Sequence, residues 1–106
     1  MEHLHFAFEG GRVNAERRAA QIVGVVASGN LEVLIESAPA DPACRIDDNT
    51  AANGFARIWE AVLGDFFERH SLSHVRISIN DAGATPAIVT LRLDQAVESY
   101  ARGRVR

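Results

Sequence analysis

Ser28 is the residue of this 106-residue chain whose type and setting best suit covalent chemistry. It follows a β-branched run and precedes Gly29-Asn30, so its hydroxyl stands beside a residue with no side chain, which a bulky partner can approach closely. That arrangement suits a modification site. It does not suit triad-type nucleophilic catalysis, because nothing nearby in sequence supplies an ordered histidine base. Taken alone, Ser28 reads more simply as a serine that merely ends a strand, since serine is a common turn residue.

The remaining reactive residue types have blander readings. His3 and His5 lie two apart on one strand face, but sequence places no third metal ligand near them, so they read as a solvated face and no metal site is expected. Asp47-Asp48 and Asp81 form a carboxylate set only on paper, since both occur in turn contexts that favour Asp for backbone hydrogen bonding. Cys44, the sole cysteine, reads as a small half-buried hydrophobe with only Arg45 beside it to lower its pKa. No catalytic residue is assigned. All 11 basic residues are arginine, which excludes an internal lysine Schiff base, a Walker A loop and a pyridoxal phosphate anchor. Lipoyl and biotinyl domains also present an arm on a hairpin, yet attach it through lysine, and are excluded with them.

The element that must position Ser28 is the stretch from Ile22 to Glu36, two apolar runs flanking Gly29-Asn30. A two-residue Gly-Asn linker suits a type II′ hairpin turn. With those two residues in the turn, Ser28 faces Leu31, Ala27 faces Glu32 and Val26 faces Val33. One face then carries Ile22, Gly24, Val26, Leu31, Val33 and Ile35. The other carries Val23, Val25, Ala27, Glu32, Leu34 and Glu36, and is half buried.

Around the hairpin, Leu4, Phe6 and Phe8 alternate with His3, His5 and Ala7 as a strand, ended by Gly10-Gly11. Arg12 to Arg18 reads as a connection, with room for a short helical turn from Ala15 to Gln21. Pro39 and Pro42 force a loop, after which Cys44 and Ile46 suggest a short strand pairing with the hairpin's second arm. From about Thr50 to Arg69, Phe55, Ile58, Trp59, Val62, Leu63, Phe66 and Phe67 form a wide apolar helical stripe, with Thr50 or Asn53 as N-cap and Arg69 and His70 in the last turn. Ser71 to Ser73 breaks the helix. Val75, Ile77 and Ile79 make a fifth strand, 80–84 a turn, and Thr85-Pro86 an N-cap with first helical residue. Residues 88–93 also alternate as a strand would, but the start signal and the helix formers from Asp94 to Arg102 favour helix. The fold class expected is α+β, an antiparallel sheet of about five strands with two helices packed on it.

These residues resemble a known family. Val25-Val26-Ala27-Ser28-Gly29-Asn30-Leu31-Glu32-Val33-Leu34 is similar to the attachment hairpin of the acyl carrier (δ) subunit of biotin-independent malonate decarboxylase, where the pattern is typically Gly-Ser-Gly-Asp-Leu-Glu-Val-Leu. This chain has Ala27 for the usual Gly and Asn30 for the usual Asp. The stretch from Asn53 to Glu68 resembles the family's long helix, tryptophan included, and 80–86 its Asp-Phe-Gly-Ala-Thr-Pro turn, with Ala82 in place of the aromatic residue. The resemblance implies that Ser28 bears a 2'-(5''-phosphoribosyl)-3'-dephospho-CoA arm through a phosphodiester, with Gly29 giving access at the tip. It implies a non-catalytic subunit on which acetyl and malonyl thioesters ride. The implied partners are the transferase and decarboxylase subunits of malonate decarboxylase and the phosphoribosyl-dephospho-CoA transferase that attaches the arm. The alternatives are the related carrier of citrate lyase, which uses the same arm, and an unmodified interaction module docking through the 22–36 hairpin. His70-Ser71-Leu72 resembles the Asp-Ser-Leu site of ordinary acyl carrier proteins, but Ser71 closes a helix where that serine opens one, and reads as a breaker.

Length and composition agree with one carrier domain over 1–106, its first 18 residues a strand and linker and 102–106 a flexible arginine-rich tail. That tail could alternatively contact the arm's phosphates or another subunit. A formal net charge of -3 gives no reason to expect nucleic acid, and no apolar run is long enough for a membrane. With no leader before the first strand and one unpaired cysteine, a reducing, cytoplasmic location is expected.

Overall fold

Period-two alternation builds most of the interior. The computed structural model describes residues 2–14, 21–23, 31–51 and 53–102. Its elements are β1 (Glu2–Phe8), β2 (Val13–Asn14), β3 (Gln21–Val23), β4 (Leu31–Ser37), β5 (Cys44–Thr50), α1 (Ala56–His70), β6 (Leu72–Ser73), β7 (Val75–Asp81) and α2 (Pro86–Arg102). Five strands form one sheet in the order β1-β5-β7-β4-β3, while β2 and β6 pair separately. On one sheet face Leu31, Val33, Ile35, Cys44, Ile46, Val75, Ile77 and Ile79 are buried. Each large one contributes roughly 1.5–3 kcal/mol. α1 lies against β1, α2 against β4 and β3, and the helices touch each other.

The α+β class, the five strands and the two helices are as expected, but the sheet is mixed rather than antiparallel. β5 and β7 run parallel, with Ile46 opposite Ile77, while the other three neighbour pairs are antiparallel. Parallel neighbours need a long crossover, and α1 supplies it. β7 thereby enters between β5 and β4, so β5 does not pair with the hairpin's second arm; its partners are β1 and β7. β5 also runs further than its apolar residues suggest. Asp48 and Thr50 continue the buried alternation begun by Cys44 and Ile46, so Asp47-Asp48 lies in a strand, not a turn. Asp and Asn are depleted in strands, which hides such a continuation.

α1 buries Trp59, Leu63 and Phe66, the middle of the expected stripe, and ends on Arg69 and His70. It begins at Ala56 with Phe55 at the N-cap and no side-chain cap bond, not at Thr50 or Asn53. Thr50 is unavailable as a cap because it is held in β5, donating its hydroxyl to Asp81 Oδ2 at 2.9 Å. At the other end Ser71 takes the left-handed conformation, φ 50°, and its N–H donates to the Phe67 carbonyl at 2.6 Å. α2 begins as expected: Pro86 is its first residue, and Thr85 Oγ1 accepts the Ile88 N–H at 3.3 Å. Val89, Leu93, Ala96 and Tyr100 are buried at helical spacing.

Part of the expected connection after β1 forms the β2–β6 pair, with Val13 opposite Leu72. Here glycine is required, since a Cβ on Gly11 would sit 2.1 Å from the Leu72 carbonyl oxygen. The helical turn expected from Ala15 lies outside the described residues except for Gln21, which opens β3. The tail beyond Arg102 is outside them too.

Candidate functional site

Ser28 and Gly29 lie outside the described residues, so the structure speaks to the frame on either side of them. β3 and β4 are antiparallel, as a hairpin requires, but their register differs from expectation. Val23 opposes Val33 and Ile22 opposes Leu34, whereas a two-residue turn at Gly29-Asn30 would put Val26 opposite Val33 and Ile22 opposite Ser37. The ladder is offset by three residues, and a regular ladder in this register cannot close through a two-residue turn at that point. An odd offset also exchanges the β3 positions across from the buried Val33 and Ile35, which are Val23 and Gln21 in place of Val26 and Gly24. Turn chemistry fixes register only when the turn is tight, and the Val23–Val33 pairing does not fit a two-residue turn at Gly29-Asn30. On β4 itself the faces are as expected, with Leu31, Val33 and Ile35 buried and Leu34 and Glu36 half-buried.

β4 fixes where the connection emerges. Leu31 opposes Asp81, the last residue of β7, and Thr50, the last residue of β5, opposes Asp81 on its other side. Because β5 and β7 are parallel, the helices following them both start near this sheet end. The start of β4, three residues after Ser28 in sequence, the end of β7 and the first turns of α1 and α2 therefore converge.

Asp81 organises this end. Its Oδ1 accepts the N–H groups of Gly83 at 3.0 Å and Ala84 at 2.6 Å, and its Oδ2 accepts the Thr50 hydroxyl. Asp81 thus shapes the turn, as the sequence suggests, with Gly83 at φ 112° where only glycine is comfortable. Asp48 is different. It is 1% exposed and neither carboxyl oxygen has a hydrogen-bond partner. Burial, with the nearby Asp81 carboxylate adding to it, pushes this carboxyl up to about 7. Sequence reasoning missed it, although the alternation Cys44, Ile46, Asp48, Thr50 carried the signal.

Beside Asp81, a groove of about 210 Å³ opens between the starts of the helices, with Phe55, Ile58, Trp59 and Val62 on one side and Pro86 and Val89 on the other. Phe55 and Ile58 are each 46% exposed, so the leading part of the helical stripe is left uncovered.

The other sequence candidates are accounted for structurally. Ser71 accepts the Arg12 N–H at 3.1 Å and caps α1, consistent with a breaker. His3 and His5 are exposed on β1, His3 bonded to Asn49 and His5 to Asp47 at 2.7 Å. No cluster of three metal-ligating side chains occurs among the described residues. Cys44 is fully buried rather than half-buried, and burial pushes its thiol up to about 12. It is inert by both access and ionisation.

Comparison with known proteins places this arrangement. The family model described as malonate decarboxylase delta subunit (MdcD) matches residues 18–100, a span that includes the Ser28 connection, β3 to β7, all of α1 and nearly all of α2. The chain belongs to that family. It is 56% identical over 106 residues, the full length of both chains, to the malonate decarboxylase acyl carrier protein of Stenotrophomonas maltophilia strain K279a. To the protein of the same name from Burkholderia cepacia it is 57% identical over 101 residues, 95% of this chain and 92% of that one. A chain in the crystal structure of a Pseudomonas malonate decarboxylase hetero-tetramer in complex with malonate superposes with a TM-score of 0.80 at 38% identity, covering 94% of this chain and 99% of that chain.

Proposed function

We propose that this chain is the acyl carrier subunit of a malonate decarboxylase, with Ser28 as the attachment point of a 2'-(5''-phosphoribosyl)-3'-dephospho-CoA arm. The observation that carries this reading is family membership over residues 18–100, together with an antiparallel β3–β4 frame on either side of Ser28. Donor chemistry fits such a group. The chain's one cysteine is buried and un-ionised, so an acyl thioester needs a thiol supplied from outside the polypeptide, and the arm's terminal thiol supplies it. Ser28 contributes a hydroxyl for the phosphodiester, Gly29 leaves space for the attaching enzyme, and the sheet frames the connection that carries both.

The chain itself is non-catalytic in this reading. A transferase subunit exchanges bound acetyl for malonate, and decarboxylase subunits release carbon dioxide and regenerate the acetyl thioester. The carrier keeps one thioester at high effective concentration between those sites. The Pseudomonas relative, a chain of a hetero-tetramer, supports docking to partner subunits. No helix of the described residues is long and apolar enough to cross a membrane. A cytoplasmic location is part of this proposal.

The test is intact mass of the protein co-produced with the cofactor-synthesis and transfer enzymes, then peptide mapping. The arm's mass on the Ser28 peptide, absent from Ser28→Ala, supports the carrier. An unmodified chain, with those enzymes active on a known carrier, overturns it in favour of a docking module.

A further inference from the structure

The groove between the first turns of α1 and α2 has no role in attaching an arm. Its walls are apolar, and two of the four large apolar side chains exposed among the described residues, Phe55 and Ile58, stand on it. Uncovered aromatic and branched surface of this kind marks a contact site. Position narrows the occupant. Leu31 opposes Asp81, and Asp81 lines the groove. Ser28 is three residues before Leu31, so its Cα lies within about 11 Å of Leu31 whatever path the chain takes. A group tethered there meets the groove at an effective concentration in the millimolar range, where a few apolar contacts suffice for occupancy. A free ligand would first have to offset the loss of its own translational freedom.

The size is also selective. About 210 Å³ falls below the usual range for a whole drug-sized ligand, and so takes the end of a chain rather than a nucleotide. Asp81, the charged residue of the lining, has both carboxylate oxygens engaged by Thr50, Gly83 and Ala84, so the groove offers no cation for the arm's phosphates.

We propose that this groove is the resting site of the arm's own thiol end, where the acetyl thioester packs against Ile58 and Trp59 and is shielded from water between visits to partner subunits. This rests on the carrier reading above.

Trp59, the only tryptophan, lines the groove and reports on it. The protein is prepared unloaded, loaded and acetylated, and loading is confirmed by intact mass. Trp59 emission is then compared across the three forms, and the loaded form is titrated with a chromogenic disulfide. Cys44 is buried and stays silent, so the reagent reads the arm thiol alone. The docked arm should react about tenfold more slowly than free dephospho-CoA, the ratio given by a docking free energy of about 1.4 kcal/mol. Loading should also shift Trp59 emission. Ile58→Glu and, independently, Phe55→Ser change exposed positions, and each should restore the free rate while the arm remains attached. An arm present by mass whose thiol reacts at the free rate, with Trp59 emission unchanged, overturns this inference and leaves the carrier intact, including where Trp59 responds only to an added partner subunit. Absence of the arm's mass with active attaching enzymes removes the carrier reading and this inference together.

Discussion

The two ends of the sheet are built differently. At the end where β4 finishes and β5 and β7 begin, polar groups are paired off. Ala38 N–H donates to the His74 carbonyl at 2.8 Å, His74 N–H to the Pro42 carbonyl at 3.2 Å, and Asp41 accepts the Ala43 N–H at 3.1 Å and pairs with Arg45. The Arg45 guanidinium beside Asp41, with the Ala43 N–H, holds that carboxyl below the usual carboxylate range. At the opposite end Asp48 is buried without a partner, Phe55 and Ile58 face solvent, and α1 starts without a side-chain cap. A buried unpartnered carboxyl costs stability, and exposed apolar surface invites association. Both features sit at the sheet end where β4 begins, which the proposed carrier role makes the working end and the other the supporting end.

Ser28→Ala has the largest expected effect on this contrast. It should abolish arm loading and turnover in a reconstituted complex while leaving the thermal midpoint unchanged. If the midpoint falls with it, Ser28 is structural and the working end is misassigned.

Next in size is the effect of Asp48. Its folded value of about 7 lies above the ordinary 3.8, so between those values the unfolded chain has released a proton that the folded chain keeps. The contribution of Asp48 to stability is therefore greatest below about pH 4, falls as pH rises to about 7 and is level beyond, by about 4 kcal/mol in total if the full shift is expressed. Asp48→Asn should flatten this slope in denaturant titrations from about pH 4 to 8. An unchanged slope would mean that Asp48 is not the buried acid that the working end carries.

Thr85→Ala removes the cap at the start of α2 and should cost about 1 kcal/mol by denaturant unfolding. Because α2 forms one wall of the groove, the same change should also raise the arm-thiol reactivity of the loaded protein. At the supporting end, Asp41→Asn should have a smaller effect than Thr85→Ala, one that fades further in high salt because the Asp41–Arg45 pair is exposed. It should leave thiol reactivity untouched.

Much of this was legible in the chain because it is local. Thr85-Pro86 announces α2, Gly83 and Asp81 announce the turn, and the spacing of Trp59, Leu63 and Phe66 announces a helix with one buried face. Each depends on backbone preferences or periodicity within a few residues. The alternation of Val75, Ile77 and Ile79 marks β7 as a strand in the same way, but says nothing of its neighbours.

Only the tertiary structure decided which strands meet. β7 lies between β5 and β4 because α1 is a crossover, and crossover placement depends on helix packing rather than on any residue in β5. The β3–β4 register went the same way: Gly29-Asn30 favours a tight turn locally, yet Val23 stands opposite Val33, because register belongs to the whole ladder and not to one dipeptide. Asp48 reads as turn chemistry until the sheet surrounds it, since its environment is assembled from β5 and the neighbours β1 and β7 on either side. The amino-acid order therefore determined the five strands of the main sheet and the two helices as elements, the faces of β4, and the family pattern around Ser28, all short-range properties, whereas the β2–β6 pair was not legible in it. The sheet order and the groove beside Asp81 arise from contacts between residues distant in sequence, which no local pattern encodes; for Asp48 the local alternation gives the face, and the neighbouring strands give the burial that perturbs it.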